Sequence, residues 1–445
     1  MAMAGCLQTQ PAGDAKADAG TDNTADASGA LVRVDQPRNI RALAVLVNFT
    51  DYQLSRTDAQ FAAMLNQPTG YNTDGTNGSV NQYFSRQSSG RVNLTFEVAS
   101  ISLPHPRNWY DNDFSRVPPW DGGQELVHDA LAAVKAKYPA GFTGLTMHPS
   151  ENRLWSVDLM AASDGGGGVN YGTDAAQNVG VRNNGATAPV GVVSLTNYPA
   201  FQPIRNNTLI HELGHNLFEW TDYYYYRTDS TTMNLGHYCL MGSGGNEYGA
   251  MPIDAGLRYQ QGWIDNVVEV SKTARTTYTV TANNPGAAYK YTNPKDPKEY
   301  YLIEALRHGD YYVAIDGDGL PTDEGLAIWY VHEAYSSNWP FLRVKLVQAD
   351  HRDDQSHPES NDHTALRGDM TDLFDNLSNS FDEAGYPLFG WKDGSPVNLR
   401  IVDISAPGPT MSFTVAPLPK APSRFPAASK PKPSARAARR SAIPT

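Results

Sequence analysis

Cysteine is nearly absent from this chain: Cys6 and Cys239 are the two in 445 residues. One lies in a polar N-terminal stretch and the other far along the sequence. That argues against a disulfide framework and against a zinc site built on cysteine. Cys239, just ahead of Leu240 and Met241, reads as a small buried side chain. Long apolar runs are missing as well. None approaches the roughly 18–20 residues that a membrane span needs. There is no heptad, no Gly-X-Y period and no internal repeat, which excludes coiled coil and collagen. Charge is scarce, at 18% of residues, and leans acidic, with 47 Asp and Glu against 35 Lys and Arg for a net −12. An acidic balance argues against nucleic acid as a partner. What the chain does have is 40% hydrophobic content with 38 Gly, 30 Pro and 24 Tyr. That is enough for a folded core, in two or three domains of roughly 100–200 residues each. Few charges and long polar loops suggest an extracellular, β-rich protein.

The two ends differ from the body. Residues 1–36 are Ala, Asp, Gly and Thr without hydrophobic periodicity, and read as a disordered linker. Met3-Ala4-Gly5-Cys6 is similar to the last residues of a lipoprotein signal, which would lipidate Cys6 and anchor the chain at a cell surface. Only two residues precede that box, where such a signal has an apolar stretch, and a chance match is the other reading. Residues 417–445 are Pro, Ala and Ser with seven bases and no acid, so the rest of the chain carries −19. This tail reads as solvated and extended; attachment to anionic cell-surface groups is its functional alternative.

Between the ends, the near-continuous apolar run Ile40–Phe49 predicts a strand buried on both faces. A short helix is expected over Thr57–Asn66, and another after Ser79, which can cap it, with Gly90 to end it. Val92–Val98 alternates as a strand does. Glu125–Tyr138 has helical spacing, and Trp155–Ala162 and Val190–Leu195 are further strand candidates. Ser163-Asp164-Gly165-Gly166-Gly167-Gly168 reads as a flexible loop. Strands alternating with helices predict an α/β (α+β) domain over residues 37–270. Beyond it, short β segments at 278–281, 299–304, 326–331, 344–347, 397–402 and 411–415 predict a mostly-β domain over 271–416, a sandwich packed on the first.

The chemistry concentrates in His211-Glu212-Leu213-Gly214-His215. On a helix, positions i and i+4 lie one turn apart on one face, so His211 and His215 can bind one zinc ion. Glu212 points to a neighbouring direction and can reach a zinc-activated water as general base and acid without being a ligand. Zinc needs a third protein ligand and leaves a fourth place for water. Glu219 and Asp222 compete for it, with His237 further off. Glu219 lies two turns from His211, about 12 Å along a straight helix at ~1.5 Å per residue. Asp222 lies past the expected helix end, where the chain can turn back, and is favoured. The four tyrosines Tyr223–Tyr226 read as a partly exposed aromatic rim beside the cleft. The acidic stretch with Asp350, Asp353, Asp354, Asp362, Asp369, Asp372 and Asp375 offers a structural calcium site or a solvated loop. Asp316-Gly317-Asp318-Gly319 reads as a turn.

Several separated segments then match one family in order. Ala44–Asp51, Gly78–Phe84 with Ser89–Leu94, the H-E-x-x-H helix, Tyr238-Cys239-Leu240-Met241-Gly242-Ser243-Gly244, and Pro252 through Gly262-Trp263 are followed by Tyr300–Glu304, Gly325–Val331 and Leu346–Asp350. Over residues 40–415 the chain resembles the immune inhibitor A family of secreted zinc metallopeptidases in the metzincin clan. The resemblance implies a metzincin-like catalytic domain holding one zinc, with Met241 beneath the metal in a Met-turn. It also implies His211, His215 and Asp222 as ligands and Glu212 as the catalytic carboxylate. The family shows H-E-x-x-H-x-x-G-x-x-D; here Phe218 stands where the glycine is expected, and Asp222 comes one residue late. The function implied is a secreted or surface-anchored zinc endopeptidase acting on protein or peptide substrates, expected as a monomer. A non-catalytic surface binding protein with a degenerate metal site is the alternative that the Phe218 departure suggests.

Overall fold

The computed structural model describes residues 38–111, 122–163, 167–171, 180–199, 205–226, 231–233, 235–243, 245–246, 249–309, 323–335, 343–351, 368–382 and 390–418. Cys6, the basic tail beyond residue 418, the Asp316–Gly319 turn and Asp353, Asp354 and Asp362 lie outside the described residues. The fold is mixed α/β, with several sheets, few helices and mostly strands. No helix among the described residues is long and apolar enough to cross a membrane.

The first half is built on strands β1 (Arg38–Asn48), β2 (Val92–Ser102), β3 (Val157–Ser163), β4 (Gly167–Tyr171) and β5 (Val193–Pro199). They form one sheet in the order β2-β1-β3-β5-β4, parallel except for the edge strand β4, which runs antiparallel to β5. The apolar run in β1 divides as a two-face burial requires. Leu43, Val45 and Val47 enter one core with Leu126, Leu131 and Leu159, while Ala42, Ala44 and Leu46 enter another with Phe84 and Leu213. Helix α1 (Asp58–Asn66) starts at Thr57, whose side chain and that of Gln60 cap each other's backbone. Helix α2 (Val80–Gln87) starts at Ser79, whose side chain accepts from the Gln82 N–H. Helix α3 (Gly122–Lys137) buries Leu126, Ala130, Leu131 and Val134 on the other face of the sheet. Helix α4 (Asn207–Phe218) lies against β5 and β4. A short turn of helix, α5 (Leu240–Ser243), and helix α6 (Ala255–Gln260) follow.

The glycine run differs from the expected loop. Gly167 and Gly168 open β4 and pair with Asn197 and Thr196. A Cβ on Gly168 would stand 2.5 Å from Glu212 Oε1 and 2.7 Å from Thr208 Cγ2. The glycine is there so that the edge strand can pass over α4.

Among the described residues, the second half holds two sheets. Strands β6 (Asn266–Glu269), β8 (Ala287–Thr292), β9 (Glu299–Leu306), β10 (Gly325–His332) and β11 (Val344–Val347) form one in that order. Strands β7 (Thr276–Thr281), β14 (Thr410–Val415), β13 (Arg400–Val402) and β12 (Phe381–Asp382) form the other in that order. The two share a core that includes Val280, Tyr301, Ile303, Ile328, Phe381 and Phe413. β6 already pairs with β8, so this sheet begins ahead of residue 270. Every residue of β9 and β10 is buried. Tyr301, Ile303 and Ile328 face the sandwich core, while Tyr300, Leu302, Trp329 and Val331 face the core of the first half.

Candidate metal centre

Helix α4 is buried on nearly all sides: Leu209, Ile210, Leu213, Leu217 and Phe218 pack into the core around it. That burial fixes the direction in which His211, Glu212 and His215 point. Phe218 does not take the expected turn. It stays helical, stacked on Trp220 at 4.9 Å and edge-on to Trp263 at 5.0 Å. The turn falls one residue later, at Glu219, which has left-handed φ 56° and ψ 30°. There the Trp220 N–H reaches the Gly214 carbonyl and the Glu219 N–H the His215 carbonyl, the pattern that usually puts glycine in this place. The shifted turn accounts for the shifted aspartate, since one more helical residue requires one more residue before the chain can return.

It returns to the histidines. Asp222 Oδ1 lies 3.0 Å from His211 Nε2 and 3.3 Å from His215 Nε2, and the two Nε2 atoms are 3.2 Å apart. Ligands at ~2.0–2.1 Å in a tetrahedron would be roughly 3.3 Å from one another, so these three atoms are spaced as zinc ligands are. The far nitrogens are committed: His211 Nδ1 meets the Leu240 carbonyl at 3.0 Å, and His215 Nδ1 meets the Trp220 carbonyl. A ring that donates through Nδ1 keeps its lone pair on Nε2, the tautomer a metal needs. Asp222 Oδ1, although this close to both rings, has no hydrogen-bond partner in the structure. Burial opposes charge on both Asp222 and His215. Asp222 is nonetheless held well below the ordinary carboxylate range by the two histidines, and His215 is raised to about 9, chiefly by Asp222. The carboxylate beside two imidazoles favours a cation among these atoms, proton or metal.

Of the rival third ligands, Glu219 lies at the helix end and is grouped with His148 and Glu151 instead. His237 is buried in the turn Gly236–Tyr238 and does not join the group. Met241 is buried beneath α4, and its Sδ would stand 2.9 Å from a Cβ on Gly214, so that glycine lets the two segments touch. The same segment supplies the Leu240 carbonyl to His211 and the Met241 carbonyl to the Tyr223 N–H. Cys239 gives its thiol proton to Asp254 Oδ2 at 3.1 Å, and burial raises its pKa well above the ordinary thiol value. Tyr223 is no part of an exposed rim: it is 1% exposed, packed in the core.

Glu212 is buried, and burial raises its pKa. Its Oε2 accepts from Asn170 Nδ2 at 2.6 Å. Asn170 could not be foreseen, because it sits beside a glycine run that looked like loop. Of the acidic stretch, Asp350, Asp369 and Asp372 bring carboxylate oxygens within 4.8 Å of one another. Asp372 there accepts from Tyr238 Oη at 3.1 Å and the Asp369 N–H at 2.7 Å. No model of a known protein family matches the chain, and no characterised protein matches it.

Proposed function

We propose that the chain is a zinc-dependent endopeptidase of metzincin-like architecture, with His211, His215 and Asp222 holding the metal and Glu212 moving the proton. The observation that carries this reading is the triangle of His211 Nε2, His215 Nε2 and Asp222 Oδ1, with both Nδ1 atoms tied to backbone carbonyls. Zinc bound there would acidify water and polarise a peptide carbonyl. Glu212 neighbours the ligands without joining them. Its carboxylate takes the proton of the attacking water and passes it to the leaving amine nitrogen. Burial raises the affinity of Glu212 for that proton, as a base working near neutral pH requires. A peptide fits as substrate because β4 is the edge of its sheet and carries Asn170 beside Glu212. An extended chain can pair with such an edge. Met241 and Trp220 support the metal helix from below.

The test is elemental mass spectrometry of the purified wild type and Asp222→Ala after zinc reconstitution. One zinc per wild-type chain, lost or much weakened in the variant, supports the three-ligand site. A wild type that takes up no zinc sinks it and leaves a binding protein on a peptidase scaffold.

A further inference from the structure

A line of buried and half-buried polar side chains runs from Glu212 into the sheet, and proton transfer at Glu212 does not itself call for it. Asn170 on β4 donates Nδ2 to Glu212 Oε2 at 2.6 Å. Its Oδ1 accepts from Ser194 Oγ, on β5, at 2.8 Å. Ser194 stands opposite Asp158 in the parallel register of β3 and β5. Asp158 is 0% exposed, and its Oδ2 accepts from Ser156 Oγ at 2.8 Å. Asn216 of α4 closes the group, donating to Ser156 Oγ at 2.9 Å and Ser194 Oγ at 3.2 Å.

Counting protons gives the line a direction. A serine hydroxyl has one proton, and Ser194 gives its own to Asn170. Asp158 Oδ1 has no hydrogen-bond partner of either kind. An ionised Asp158 would draw the Ser194 proton to itself and strip Asn170 Oδ1 of its donor. A protonated Asp158 can instead donate to Ser194, and every donor then points the same way, ending at Glu212.

We propose that Asp158, as the carboxylic acid, heads a one-way relay through Ser194 and Asn170 that positions the Glu212 carboxylate for proton transfer. The proposal rests on the reading of Glu212 as general base, and makes Asp158 and Ser194 positioning residues. Burial agrees with it: it pushes the Asp158 carboxyl up to about 7, against the Ser156 and Ser194 hydroxyls. Around Asp158 stand Ala44 on β1, Ser194 on β5, Asn216 on α4 and Ser156 just ahead of β3; Tyr198 on β5 is the titratable group that senses its charge.

The experiment compares zinc-loaded wild type, Asp158→Asn, Asp158→Ala and Ser194→Ala on fluorescein-labelled casein across pH 5–9, with zinc content measured alongside. Asn offers Ser156 an acceptor and Ser194 a donor, as the acid does. The expected result is that Asp158→Asn keeps kcat within about threefold of wild type at pH 6 and holds it above neutrality, where wild type declines. Ser194→Ala loses about 10–100-fold in kcat, the usual scale for a group that orients an active residue, with zinc unchanged and KM little moved. Wild-type kcat in Ser194→Ala, or an Asp158→Asn as impaired as Asp158→Ala, would overturn the relay. Infrared spectroscopy adds a readout free of catalysis: a protonated-carboxyl C=O band at pH 6 in wild type, missing in Asp158→Asn. Its absence from wild type sinks the proposal. Failure of the wild type to bind zinc or cleave casein would sink the peptidase reading instead, with the band still deciding whether Asp158 is the acid.

Discussion

The parallel sheet beneath the candidate metal centre and the sandwich behind it both bury acids, but they treat them differently. In the sandwich sheet, Glu299 accepts from Tyr330 Oη at 2.5 Å and the Lys392 N–H at 2.6 Å on one oxygen, and from Asn293 on the other. Glu304 accepts from Trp329 Nε1 at 2.9 Å and pairs through its second oxygen with Arg258 of α6. Both oxygens of each are satisfied, as a purely architectural buried carboxylate should be. In the parallel sheet Asp158 has a donor on Oδ2 and none on Oδ1, and Asp222 Oδ1 likewise has none. A buried oxygen left without a donor costs stability, and both lie on the line leading to Glu212 or at the histidines. Of these four acids, the two fully satisfied ones lie in the sandwich sheet and the two incompletely satisfied ones lie near Glu212 or at the histidines.

The contrast can be pressed experimentally. Glu212→Gln keeps the shape of the site and removes the proposed base; kcat on casein should fall by about 10²–10⁴ with zinc content unchanged, and loss of the metal as well would move Glu212 from chemistry to scaffold. Glu304→Ala leaves the Arg258 guanidinium buried without its partner and should cost about 3–5 kcal/mol by denaturant unfolding. Arg275→Ala, at the exposed pair with Asp403, should cost under about 1 kcal/mol. Similar losses in the two would show that Glu304 is not the buried anchor described above. Asp158 sets a sign in pH. Its folded pKa, about 7, lies above the ordinary 3.8, so between those values the unfolded chain gives up a proton that the folded chain keeps. Stability should therefore decline as pH rises from about 4 to 7, by on the order of 4 kcal/mol, and Asp158→Asn should remove that slope in urea titrations. Glu219→Gly should act on a similarly small scale, with the opposite sign. Relieving a left-handed non-glycine residue should raise stability by about 1 kcal/mol, with zinc retained; loss of zinc would restore Glu219 as a ligand.

Much of this was readable from the residues. Period and caps placed β1, α1 and α2, and the spacing of His211 and His215 put both rings on one helix face. The apolar runs of β9 and β10 announced strands, and their double burial followed from covering both faces. What escaped was set by tertiary contact. Phe218, where a turn glycine was expected, left open whether the chain turns differently or the site is weakened; its aromatic neighbours Trp220 and Trp263 explain why the helix runs on to Glu219. Gly168 looked like loop because the reason for it, the carboxylate of Glu212, lies more than forty residues away in sequence. Asp158 carried a signal that went unused: an acid among Val157, Leu159, Met160 and Ala161 cannot face water in a strand buried on both sides.

Strands β9 and β10 are a party wall, with Tyr300 and Trp329 in one core and Tyr301 and Ile328 in the other. Such a wall ties the fate of the two halves together. A fragment cut near residue 270 to isolate the first half would bare one whole side of its core, a surface that drives aggregation. The intact chain should instead melt once, as one cooperative body.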